Sequence, residues 1–330
     1  MLLTCTLLFL HSVFSSVNYP PSYRKPDEPI DERAFRKWVS TNQTALDGSL
    51  PKKDSQLLRI AYWNLENHRA NNLNSEKLPV LVKVILNIDA DIVFINNLQG
   101  NKGYIKDFKD AGYSDIIIDN LDGEKKMDVV LIRSPKLSSS VSKEHNLEHY
   151  FTMARFSPDT DKSIPSFTIL HANLSPKSEN NRSRDISSIR DSLSQDLSRN
   201  DDPIVFVGTL FEETPLTSSA LNPITEMIKF KDSFTSAPSI TSWRGLRDDH
   251  ILVSDFVEVK GAYTPSSHNF SLHLPVVVDL TIKPGQITVN IPISIKASWT
   301  TVTKSGASKM TEVISFGFLS ALFFITMVFF

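Results

Sequence analysis

Between Leu57 and about Lys283, short runs rich in β-branched residues alternate with amphipathic stretches. The first kind suits half-buried or buried strands and the second suits helices that cover them. This pattern predicts strands at Leu58–Trp63, Ile92–Asn96, Tyr113–Ile118, Asp128–Arg133, Tyr150–Phe156, Ser166–Ala172, Ile204–Gly208, His250–Ser254, Phe256–Tyr263 and Val276–Ile282. It predicts helices at Ser75–Asn87, Tyr104–Asp110, Arg184–Ser198 and Ser218–Met227. The strands outnumber the helices and come partly in adjacent pairs. That argues for an α+β sandwich of two packed, mixed or mostly antiparallel sheets with helices outside, because a doubly wound parallel sheet would alternate more strictly.

The pattern changes at both ends. Leu2 to Phe14 is an apolar run at the chain start, followed by small residues and then Pro20 and Pro21, so residues 1–16 are expected to be a secretory signal. Residues 17–56 are rich in Pro, Ser, Asp and Lys and form a partly ordered leader with one helix-like patch, Asp31 to Val39. The main domain is expected over 57–283. Beyond it, Gln286 to Ile295 puts Ile287, Val289, Ile291, Ile293 and Ile295 on one face by strict alternation, with Pro292 on the other. Proline confines such a strand to an edge or a stalk, so 284–308 is read as a stalk. Val313 to Phe330 carries no charge, and residues 309–330 are a hydrophobic tail, either a lipid-anchor signal or a membrane span. Both readings place the domain in the secretory pathway, at the cell surface or anchored to a membrane through this tail.

Composition refines this picture modestly. The chain has 330 residues, with 35 Lys+Arg against 37 Asp+Glu, and so has no broad basic field to attract a nucleic-acid backbone. The single cysteine, Cys5, falls inside the expected signal, leaving the mature chain without a disulfide. Asn42, Asn173, Asn181 and Asn269 each head an Asn-x-Ser/Thr triplet and are glycosylation candidates in a secreted chain.

Six stretches carry the candidate chemistry: Arg59 to Asn64, Asp91 to Gly100, Phe167 to Leu174, Pro203 to Phe211, Asp248 to Val253, and Ser271 to Val276. Their order and spacing resemble the endonuclease/exonuclease/phosphatase superfamily, the deoxyribonuclease I-like fold, over nearly the whole expected domain. The resemblance implies a four-layered α/β sandwich with two mixed sheets flanked by helices. It also implies a site at one rim, where a divalent cation held by carboxylates and an Asp-polarised imidazole would cleave a phosphate ester.

Placed on this pattern, Asn64, Asp249 and His273 are the retained, vestigial catalytic residues, with Asn64 and His273 as phosphate binders. At the other motif positions the expected group is missing. Gly100 stands where the metal-binding Glu follows Leu98-Gln99, and Asn173 stands at the catalytic His, with His171 two residues before it. Thr209 and Phe211 replace the Asp and Asn of the Gly-Asp-Phe-Asn motif, and Leu272 replaces the Asp beside His273, leaving that imidazole without an adjacent carboxylate. Groups that act as a unit do not substitute for one another, so these departures together predict no hydrolysis by the family mechanism.

The sequence therefore reads as a degenerate, non-catalytic surface protein serving as a binding or display module for an unidentified protein or glycan. No cofactor is expected. Glu66, Asp248 and Asp249 could rebuild a cation site, and magnesium belongs only to the rival reading, a live hydrolase of a lipid or small phosphoester or a nuclease.

Overall fold

The computed structural model describes residues 50–65, 78–99, 104–120, 126–133, 137–142, 151–158, 164–174, 176, 178–197, 201–234, 241–242, 246–265, 271 and 273–290. Over these the chain forms β1 (Leu58–Asn64), α1 (Leu78–Ile88), β2 (Ile92–Gln99), α2 (Tyr104–Asp110), β3 (Asp115–Asn120), β4 (Lys126–Ile132), β5 (Leu137–Ser142) and β6 (Phe151–Pro158). There follow β7 (Phe167–Asn173), α3 (Glu179–Leu197), β8 (Ile204–Thr209), the helical turn α4 (Asn222–Thr225), β9 (Phe230–Asp232), β10 (Asp249–Ser254), β11 (Val257–Tyr263) and β12 (Val276–Ile282).

The strands form two six-stranded sheets, ordered β11-β12-β1-β2-β4-β3 and β5-β6-β7-β8-β10-β9. Each sheet has one parallel pair, β1–β2 and β7–β8, and antiparallel neighbours otherwise. A parallel pair needs a crossover, and helices α1 and α3 supply the two crossovers. In α1, Leu81, Val84, Ile85 and Ile88 recur at helical spacing and pack on Ala61, Trp63, Val93 and Ile95 of the first sheet. In α3, Ile186, Ile189, Leu193 and Leu197 cover Leu170, Ala172, Ile204 and Phe206 of the second.

Between the sheets lie the alternate positions of the same strands: Ile60 and Tyr62, Ile92 and Phe94, Phe167 and Ile169, Val205 and Val207, Ile251 and Val253. The order of layers is helix, sheet, sheet, helix, as the motif pattern implied.

Two strands went unread in the sequence. β5 is serine-rich and sends Leu137 into the inter-sheet core, while β9 has only three residues. The helix expected at Ser218–Met227 shrinks to a 3₁₀ turn at Pro215–Thr217 and the single turn α4, with Pro at the start of each.

The packed region extends past 57–283 at both ends. Leu50 packs against the α1 side of the first sheet, and the buried Arg59 guanidinium donates to the Pro51 carbonyl at 2.9 Å while it holds Asp279 at 2.6 and 2.8 Å. After β12, Ile287 is buried against the α3 side of the second sheet, and Val289 bridges to Ile228. The first part of the expected stalk is thus a strap that crosses from one sheet to the other. The expected signal, most of the leader and the tail lie outside the described residues, as do Asn42 and Asn269.

Candidate functional site

Inner-face positions are apolar along most of each strand and turn polar at one end of the sandwich. The carboxyl ends of β1, β2, β7 and β8 meet there, the usual place for a site in sheets with parallel pairs. Register brings Asn64 beside Asn96, Asn173 beside Thr209, and Thr209 beside Asp249. A side chain at Gly208 would lie 1.9 Å from the Ala172 carbonyl oxygen, so this close approach of β7 and β8 requires glycine next to Thr209.

Thr209 organises this layer. Its hydroxyl donates to Asp249 Oδ1 at 2.6 Å and accepts from Tyr62 Oη at 2.7 Å and Asn64 Nδ2 at 3.0 Å. One donor and two acceptor sites are the full capacity of a hydroxyl, so Thr209 is saturated. Burial, with the Asp249 charge nearby, pushes the Tyr62 phenol well up and keeps it a neutral donor.

The other carboxylate oxygen, Asp249 Oδ2, holds His273 Nδ1 at 2.7 Å, and both side chains are 0% exposed. This corrects the sequence reading. His273 lacks an acidic neighbour at Leu272 but has its carboxylate partner across the rim in Asp249, an oriented pair of the kind that positions a general base. Around it, Trp63 Nε1 donates to the His273 carbonyl at 3.0 Å, and Ser271 Oγ donates to the Asn64 carbonyl at 2.6 Å while accepting from His273 N at 3.0 Å. Ser271 thereby staples the end of β1 to the segment that carries His273. Ser271→Ala leaves both backbone groups bare in a buried setting and should cost about 2 kcal/mol in urea unfolding, with no change in the slope.

The group that faces Asn64 across β1–β2 is Asn97, whose Nδ2 donates to Asn64 Oδ1 at 2.9 Å; Gly100 lies outside the described residues. A bulge between Ile95 and Leu98 puts Asn97 at φ 57°, a left-handed conformation that Asn tolerates, so that consecutive residues Asn96 and Asn97 both turn to the rim. Asp128 then locks them: its Oδ1 accepts from Asn96 Nδ2 at 2.7 Å and from Asn97 N at 3.1 Å. Neither Asn97 nor Asp128 was singled out from the sequence, because strict alternation puts Asn97 on the helix side.

Asn173, at the catalytic His position, donates its amide to Asn96 Oδ1 at 3.0 Å. A glycan on that nitrogen would compete with this bond, so the packed rim and a sugar at Asn173 exclude each other; Asn181 lies in the first turn of α3. His171 shares the inner face of β7 but sits one layer deeper, its ring 5.6 Å from those of Tyr62 and Phe94. Burial lowers its pKa to about 4. Phe211 follows in a left-handed conformation at φ 54° and is buried.

A hard divalent cation needs several oxygen ligands, chiefly carboxylates. Here Asp249 spends both oxygens on Thr209 and His273, while Asp248, the residue before β10, takes Ser242 Oγ at 2.5 Å. The amide oxygens of Asn64 and Asn96 accept from neighbouring amides. Among the described residues no cluster of three or more His, Cys, Asp or Glu side chains is placed to hold a metal, and Glu66 lies outside them. The described donor set does not fit such an ion.

No protein-family model and no curated protein matches the chain. Solved structures do. The chain is similar to the human Nocturnin catalytic domain with bound sulfate (16% identity, TM-score 0.58), over 70% of this chain and 97% of that one. It is similar to ANGEL2, a 2′,3′-cyclic phosphatase (13%, TM-score 0.56), over 70% and 98%. An endonuclease/exonuclease/phosphatase protein from Bacteroides vulgatus aligns at 18% identity and TM-score 0.55, over 69% and 99%. The chain has the endonuclease/exonuclease/phosphatase fold.

Proposed function

We propose that this domain is a non-catalytic member of that fold group, a binding or display module held outside the cytosol through its C-terminal tail. One observation carries the reading: the polar side chains at the centre of the rim are bonded mainly to one another. Asn97, Asn64, Thr209, Asp249 and His273 form one continuous chain of hydrogen bonds built mainly from neutral groups. A metal cage of clustered carboxylates is unstable without its ion, whereas amides and hydroxyls saturate one another and need none. The partner would be a protein or a glycan, since the near-zero net charge of the chain gives nucleic acid no electrostatic pull.

The retained Asp249–His273 pair is the feature that favours the rival reading, an active phosphoester hydrolase. A thermal-shift series with Mg²⁺, Mn²⁺ and Ca²⁺ separates the two, because an ion that binds only the folded chain raises the melting temperature as its concentration grows. The expected result is no shift at millimolar metal and no turnover of bis(p-nitrophenyl) phosphate or p-nitrophenyl phosphate. A concentration-dependent rise accompanied by turnover would overturn the proposal.

A further inference from the structure

Both ends of the described chain leave the sandwich on the side away from the rim. β1 begins there with Leu58 and reaches the rim at Asn64, and the strap after β12 runs along the same end, with Ile287 N donating to the Asp201 carbonyl ahead of β8. The two-residue turn between β10 and β11 sits there too. It carries Phe256, one of two large apolar side chains exposed among the described residues, at 41%.

Phe256 is an odd occupant for this turn. Its φ is 69°, the left-handed region, where Gly or Asn fits and a bulky side chain is strained. A solvent-exposed aromatic ring held at such a position is an outlier that asks for a purpose. Its backbone carbonyl accepts from Lys283 N at 2.8 Å, and its ring lies so close over Gly285 that a Cβ there would be 2.3 Å from it. The ring is therefore built onto the root of the strap that leads to the hydrophobic tail. Beside it opens a groove of about 480 Å³ floored by Val253, Val257 and Val259.

We infer that this end of the sandwich, with Phe256 as its wedge, is a membrane-facing surface that seats on a zwitterionic phospholipid bilayer and turns the rim outward. The inference rests on the proposal that the tail holds the domain at a membrane. A tether alone leaves the domain free to rotate, while an apolar ring at the tethered end gives it a face to settle on. The flanking charges bear on the lipid: Lys231 pairs with Asp255 at 3.0 Å, and Glu258 is shared by Lys260 at 2.6 Å and Lys283 at 3.0 Å, an excess of one lysine that falls well short of the basic cluster that selects anionic headgroups.

The test uses the full chain in a Cys5→Ser background, reconstituted into phosphatidylcholine vesicles, with one cysteine at a time labelled by an environment-sensitive dye. At Phe256→Cys the label should shift to the blue and be quenched by spin-labelled lipid. At Thr214→Cys, exposed just beyond β8 on the rim side, it should stay open to aqueous iodide. A label at Lys231→Cys should lose most of its lipid quenching when Phe256→Asn is added, while the melting temperature does not fall. Quenching at Thr214→Cys, or equal water access at both ends, would overturn the orientation. A full chain that does not float with the vesicles defeats the membrane reading itself, which is a different failure from the wrong face being seated.

Discussion

Thr209→Asp is expected to destabilise the fold by about 3–4 kcal/mol at pH 7 and by little near pH 4. The wild-type hydroxyl gives its proton to Asp249 and receives those of Tyr62 and Asn64. A carboxylate in its place can still accept from Tyr62 and Asn64, but it has nothing to donate to Asp249 unless it is itself protonated. Two carboxylates at hydrogen-bond distance in a site closed to solvent cannot both ionise, so the folded state must hold one proton between them.

Keeping a proton at pH 7 on a group that in the unfolded chain loses it near 3.9 costs at most about 4 kcal/mol. The sign follows from linkage. A folded pKa raised above the unfolded value gives a penalty that grows with pH above about 4 and disappears below it. Urea unfolding of the variant and of wild type at pH 7, 5.5 and 4 gives the difference directly. A variant as stable as wild type at pH 7 would mean that the Thr209–Asp249 contact is not closed as described. Asn97→Glu combined with Thr209→Asp supplies two new carboxylates around Asn64, and this double variant should gain melting temperature with Mn²⁺ or Mg²⁺ where wild type does not.

The described rim is built mainly from neutral amides and a hydroxyl, those of Asn64, Asn96, Asn97, Asn173 and Thr209. Most of these groups satisfy one another, while Asn173 Oδ1 is buried without a hydrogen-bond partner among the described residues. His273 and Asp249 bond each other within it, an arrangement that suits a structural role as well as a catalytic one.

Most strands were legible because the central ones are buried on both faces, by the other sheet and by a helix, and so read as short β-branched and aromatic runs such as Ile204 to Val207 bounded by polar stretches. β5 escaped because its run Ser138-Ser139-Ser140 hides the pattern, and the Ser218–Met227 helix was overread because Pro223 starts a new turn inside it. At the site, Asn64, Asp249 and His273 do converge, but their pairing was not legible. His273 and Asp249 are 24 residues apart and meet only because the chain crosses from one sheet to the other between them. Asn97 was hidden by the bulge, which sets aside the alternation rule for one residue. Asp128 was hidden because a carboxylate that accepts a backbone N–H and an amide carries no motif of its own.

Acid should weaken the folded state as the pH falls from 7 to 5, through two buried histidines. His171 lies between the rings of Tyr62 and Phe94, beside a small cavity that Asp128 and Thr152 also line, and its Nε2 has no hydrogen-bond partner. His250, on the helix side of β10, donates from Nε2 to the Arg247 carbonyl at 2.8 Å, and its Nδ1 lies 3.8 Å from Asp232, which Arg247 already holds. Burial lowers His171 to about 4, and burial with the Arg247 charge lowers His250 to about 3. A histidine whose folded pKa is depressed contributes its full stability above about 6.5 and loses it as the pH falls toward the folded value, because the unfolded chain takes up the proton first. By pH 5 each should have cost about 2 kcal/mol, hence about 4 kcal/mol together. Asp232, raised by burial, works in the opposite direction. His171→Leu keeps the site apolar and should roughly halve the loss between pH 7 and 5 in urea unfolding, leaving the share due to His250. Parallel profiles for wild type and His171→Leu would show that the His171 imidazole is already protonated, or already solvated, in the folded chain.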